Sequence, residues 1–140
     1  MKLSNQMIKW LLKKQETMTQ QDKELLLKDL CARLPYGVKL RYIEDCVVKK
    51  ISHTITMDTV WLEHVIYGDA DVKPYLHPMS SMTEEEREEY TSITHSQNWL
   101  IIGEADKYID WLNAHHFDYR GLIEKGLAIE VTEENNTYKD

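Results

Sequence analysis

The residues best equipped for chemistry are two adjacent histidines, His115 and His116, with Asp118 close behind. On a helix, His115 and Asp118 share a face and His116 points about 100° away. Zinc takes at least three convergent protein ligands, and neither an HExxH pattern nor a second cluster accompanies the pair. A histidine pair at a helix end also has a plain role, because the helix dipole favours positive charge there. The expectation is a structural pair and no metal.

The other reactive groups read the same way. Cys31 falls on the apolar stripe of a predicted helix, where a thiol behaves as a small buried hydrophobe. Cys46 follows Glu44-Asp45, and neighbouring carboxylates work against a thiolate. The run Glu84 to Glu89 could supply a carboxylate pair, but charge at a helix start is ordinarily a solvated face. The five glycines, at 37, 68, 103, 121 and 126, are too scattered for a phosphate-cradling loop. No GxSxG elbow or Cys-x-x-Cys pair is present. The chain is expected to be no enzyme and to carry no cofactor.

Recognition is the better prospect. Tyr36, Tyr42, Trp61, Tyr67 and Tyr75 are interleaved with Lys39, Arg41, Lys49, Lys50 and Lys73. A sheet face of aromatics and cations can stack bases and pair phosphates. The same residues are also good strand formers, so part of this set belongs to the core.

The elements that must position these groups follow from periodicity. Leu3, Met7, Trp10 and Leu11 predict a short helix within a leader or arm, 1–17, that packs on its own core or on a second copy. Thr19 caps a second helix, whose stripe is Leu26, Leu27, Leu30, Cys31 and Leu34, and which Pro35 and Gly37 end. Val38, Leu40 and Tyr42 alternate with Lys39 and Arg41, and Val47, Ile51, Ile55 and Met57 share one parity. Both predict strands, with a third over 60–67, in an antiparallel meander with one wet face. Residues 73–78 form a Pro-fixed extended segment. Thr83 with Glu86 is a capping box for a polar helix over 83–94. Trp99 to Ile102 is apolar, Ala105, Tyr108, Ile109 and Leu112 mark a helix over 104–115, and 127–131 returns as a strand. The expected fold is α+β, with an antiparallel sheet of three to five strands flanked by N-terminal and C-terminal helices. Residues 18–131 form one domain and 132–140 a polar tail.

Composition fits a single domain. A chain of 140 residues buries roughly 68% of its unfolded surface, enough for one core without staples. No apolar run approaches the ~20 residues of a membrane span, and no secretory signal pattern opens the chain. Two free thiols and a cytoplasmic setting follow. The net charge of −7 divides unevenly: residues 1–50 carry +5 and residues 51–140 carry −12. Overall acidity argues against coating nucleic acid in bulk, while an acidic face can repel or mimic it.

Three stretches carry a resemblance. They are Lys28-Asp29-Leu30-Cys31-Ala32-Arg33-Leu34-Pro35-Tyr36-Gly37-Val38, then Lys73-Pro74-Tyr75-Leu76-His77-Pro78-Met79-Ser80-Ser81-Met82-Thr83-Glu84-Glu85-Glu86. The third is Asp110-Trp111-Leu112-Asn113-Ala114-His115-His116-Phe117-Asp118-Tyr119-Arg120-Gly121-Leu122-Ile123, with Lys125-Gly126-Leu127-Ala128 after it. Together they resemble an uncharacterised family of small proteins encoded in phages and mobile elements of gut anaerobic bacteria. The resemblance brings no catalytic residues. It implies an accessory gene product acting inside the bacterial cell.

The functional expectation is a non-enzymatic binding protein of a phage or mobile element, one that inhibits a host defence or regulatory protein. The alternatives are a protein that sequesters a nucleotide-type signal and a nucleic-acid-associated regulator. The residues nominated for contact are Tyr36, Lys39, Arg41, Tyr75, His77, His115, His116, Tyr119 and Arg120.

Overall fold

Local chemistry sets most element boundaries. In the computed structural model, which describes Asn5 and residues 19–67, 71–94 and 106–138, helix α1 spans Gln20–Arg33. Thr19 caps it: its Oγ1 accepts the Asp22 N–H at 3.0 Å, relieving a donor that has no partner within the helix. Leu26, Asp29, Leu30 and Arg33 form its buried face. Cys31, expected on that face, is exposed, because one residue past Leu30 turns the side chain about 100° towards solvent. Pro35 belongs to a 3-10 turn, Leu34–Tyr36, and Gly37 takes the left-handed φ of 66° that swings the chain into the sheet.

Strands β1 (Lys39–Asp45) and β2 (Lys50–Thr56) form a hairpin in unbroken antiparallel register. The next segment corrects the sequence reading: residues 60–67, expected as a strand, belong to helix α2, Thr59–Tyr67. Asp58 Oδ1 accepts the N–H groups of Val60 at 3.0 Å and Trp61 at 3.3 Å, supplying a helix start. Trp61, Leu62 and Val65 then fall on one helical face and pack into the core. A short apolar run fits either period, and cap and packing decided for the helix.

The Pro-fixed segment is strand β3, Asp71–Pro78, at the middle of the sheet. It changes neighbours along its length. Residues 71–74 pair antiparallel with β1. Residues 75–76 then pair parallel with β5 (Ile129–Glu130), and 77–78 with β4 (Phe117–Asp118). Pro74, which has no N–H to give, sits where the β1 ladder ends. The fold is α+β as expected, and its five-stranded sheet is mixed because the C-terminal segment returns parallel to β3.

Helix α3, Glu84–Thr94, opens with the predicted capping box: Thr83 Oγ1 accepts the Glu86 N–H and Glu86 Oε1 accepts the Thr83 N–H. Helix α4 covers Asp106–Ala114. The core has two parts. Leu26, Leu30, Val38, Leu40, Leu76 and Leu122 centre the larger, between α1, α2 and the sheet. Trp111, Leu112 and Phe117 centre the smaller, against which Tyr90 and Ile93 anchor α3. The leader expected at 1–17 (apart from Asn5) and the apolar segment 99–102 lie outside the described residues.

Candidate functional site

Strand alternation sorts the nominated sheet residues. Arg41 stands opposite Lys73 on β3 and Thr54 on β2, and Lys39 shares its parity. Lys39, Arg41 and Lys73 therefore lie on one face, where Lys39 Nζ donates to Thr56 Oγ1 at 2.7 Å. Tyr42 points to the other face and packs on Trp61, with ring centroids 4.7 Å apart. The interleaved set of aromatics and cations is thus divided: Lys39, Arg41 and Lys73 share one face, half-buried, while Tyr42 on the other packs on Trp61 of α2. Tyr36 is exposed at the end of its 3-10 turn.

A second group surrounds a buried ion network. Asp29 and Arg33 are one turn apart on α1 and fully buried, with Nε 2.8 Å from Oδ2. The other carboxylate oxygen accepts Arg120 Nη1 at 2.8 Å. Arg33 Nη2 donates to the Phe117 carbonyl. Both guanidiniums approach the Tyr119 ring, Arg120 at 4.5 Å and Arg33 at 5.4 Å from its centroid. The ring's negative face helps offset two cations that share one carboxylate. The Tyr119 hydroxyl donates to Asn113 Oδ1 at 2.8 Å. Tyr119 and Arg120 thus tie the α4–β4 corner to α1. The sequence reading gave no weight to Asp29 and Arg33 as a pair, although their i, i+4 spacing within an apolar stripe was visible.

The histidines diverge. His115 Nδ1–H donates to the Trp111 carbonyl at 2.9 Å, and its ring stacks on Trp111 at 4.0 Å. His116 follows the helix end with φ 60°, a conformation usually left to glycine or asparagine. Its ring stacks on Tyr138 at 4.1 Å and 12°, and its carbonyl accepts the His77 N–H at 2.8 Å. Burial, followed by the nearby Arg33 charge, lowers the His116 pKa to about 4. Burial also lowers that of His77, against the pull of Glu86. Asp118 is committed elsewhere: its two oxygens accept the N–H groups of Leu122 and Ile123, each at 2.9 Å. Among the described residues no group of three or more His, Cys, Asp or Glu is placed to hold a metal ion.

Tyr138 was missed altogether, being assigned to a polar tail. Its hydroxyl accepts the Lys39 N–H at 2.9 Å and donates to the Tyr75 carbonyl at 2.7 Å. This joins the C-terminus to β1 and β3, and burial raises its pKa. Tyr75 itself is buried. A lone aromatic in a polar stretch was the only available signal.

Helix α3 contrasts with these engaged groups. Glu84, Glu85, Glu88 and Glu89 are exposed on it, and Glu84, Arg87, Glu88, Thr91 and Ser92 line a shallow depression of about 460 Å³. No described helix is long and apolar enough to cross a membrane. No protein-family model, curated protein or solved structure matches the chain.

Proposed function

We propose that the chain is a non-enzymatic, cytoplasmic binding protein of a phage or mobile element, and that it occupies a basic surface of a host defence or regulatory protein. One observation carries the reading. The groups with chemical potential, Arg33, Asp29, Arg120, His115 and His116, are engaged within the fold, while α3 turns its carboxylates to solvent beside an open depression. Carboxylates on a rigid helix give complementarity to a cationic partner and speed its encounter. The phage setting rests on the resemblance of the three motif stretches.

The test is affinity capture of the tagged full chain from a bacterial host during phage infection, followed by reconstitution with the purified partner. A stoichiometric complex that salt weakens supports the proposal. Failure to retain any host protein in stoichiometric amount overturns it.

A second reading is favoured by the cationic sheet face. Lys39, Arg41 and Lys73 lie together there and suit a nucleotide-type ligand. Such a ligand, well above its dissociation constant, raises the melting temperature. A nucleotide panel read by thermal shift separates this reading from the first.

A further inference from the structure

We infer that two copies of this chain pair through the outer edge of β2, in antiparallel register centred on His53. Strand β2 ends the sheet, and among the described residues no strand lies on its outer side. Among the described residues the edge carries few of the usual protections. It has no proline, its register with β1 runs unbroken from Lys50 to Thr56, and its only charged lysine stands at one end.

The orientation of the edge groups follows from two backbone bonds. Cys46 N–H donates to the Lys49 carbonyl at 3.0 Å, and Met57 N–H to the Val38 carbonyl at 2.9 Å. Antiparallel pairs alternate between bonded and non-bonded. Ile51, His53 and Ile55 therefore face β1, and Lys50, Ser52, Thr54 and Thr56 turn their N–H and C=O groups outward.

A second β2 can use all seven residues in one register only, with His53 opposite itself. Ser52 then meets the partner's Thr54, and Lys50 the partner's Thr56, as hydrogen-bonded pairs. Ile51 meets the partner's Ile55 in a non-bonded pair, where side chains come closest. Every contact occurs twice, as two-fold symmetry requires. Each His53 is already held by Glu44 of its own chain at 2.9 Å.

The same register bears on apolar residues that stand exposed among the described residues. Val47 and Val48, at the hairpin tip, are fully solvent-exposed, and Val60 is 56% exposed. Counted along the same register, residues 46–48 of the tip fall opposite residues 58–60 of the partner, where its β2 gives way to α2, so the exposed Val47, Val48 and Val60 gather at the two ends of the pairing. Lys49 falls opposite the partner's Met57, one position from Asp58, so opposite charges approach each other at each end. A second copy thus fits the strand register and brings the exposed valines and opposite charges to the same ends.

Light scattering and sedimentation of the full chain test the pairing, with two variants. Thr54→Pro removes an N–H that points outward, so the ladder to β1 survives while the edge is blocked. His53→Cys, in a background of Cys31→Ser and Cys46→Ser, places two thiols across the two-fold axis at disulfide distance. The expected result is twice 16.6 kDa for the native chain, half that for Thr54→Pro with an unchanged circular dichroism spectrum, and an intermolecular disulfide for His53→Cys. A native chain that stays monomeric up to about 100 µM, where micromolar dimers still form, overturns the inference. So does a dimer that Thr54→Pro leaves intact or that His53→Cys does not cross-link. None of these readouts depends on a host partner or on α3.

Discussion

Arg33 and Asp29 are both fully buried, one turn apart on α1, with Nε 2.8 Å from Oδ2. An ion pair in that position gives little net stability over an apolar pair, but removing one partner strands the other charge. Its evident structural product is attachment, since Arg120 and the Phe117 carbonyl reach it from the far end of the chain.

Asp29→Ala is expected to destabilise the fold by about 3–5 kcal/mol, the cost of an uncompensated buried cation. Asp29→Leu with Arg33→Met should cost less than the two single changes together. A double-mutant cycle by urea denaturation measures that coupling. Additivity would show that the two groups act independently.

Tyr138→Phe removes one hydroxyl that serves two strands. Leaving the Lys39 N–H and the Tyr75 carbonyl without it is expected to cost about 1–3 kcal/mol. Thermal denaturation reads the loss, and amide exchange at Lys39 should accelerate. An unchanged melting temperature would return residues 132–138 to the status of a tail.

Stability should fall with acidification through the His116 window. Its folded pKa, about 4, lies below the ordinary 6.5, so the unfolded chain binds the proton first. The contribution is complete above pH 6.5 and is lost as pH drops towards 4, at no more than about 1.4 kcal/mol per pH unit. His77, also lowered, adds in the same direction. His116→Asn, which tolerates the left-handed backbone, should flatten the dependence measured by urea melts across that range. An equal slope in the variant would assign it to other groups.

Thr83→Ala breaks the reciprocal cap of α3 and is expected to cost about 1 kcal/mol. Because Tyr90 and Ile93 anchor that helix, the effect should show as fraying of its first turn in amide exchange. Serine at 83 should restore it.

The caps, the 3-10 stop at Pro35 and the strand alternation of residues 38–42 were legible in the sequence because they depend on neighbours a few residues apart. Residues 59–67 were not, since an apolar, β-branched run is ambiguous until Asp58 caps it and the core receives Trp61 and Val65. The site was half legible. Arg120, Tyr119, His116 and Tyr75 were singled out as contact residues, and the structure engages them in joining α1, α4 and the sheet. The Asp29–Arg33 spacing was local and visible, but the reach of Arg120 to Asp29 and of Tyr138 to Lys39 and Tyr75 spans 63 to 99 positions, which no local pattern encodes.

The proposed function meets its most direct test in a binding titration between the purified chain and the host protein it captures, run beside Glu88→Lys with Glu89→Lys. The account predicts a stoichiometric complex, weakened by added salt and at least about tenfold by charge reversal, with the melting temperature of the variant unchanged. An affinity indifferent to both would contradict it, as would a chain that retains no host protein and gains stability only from a nucleotide.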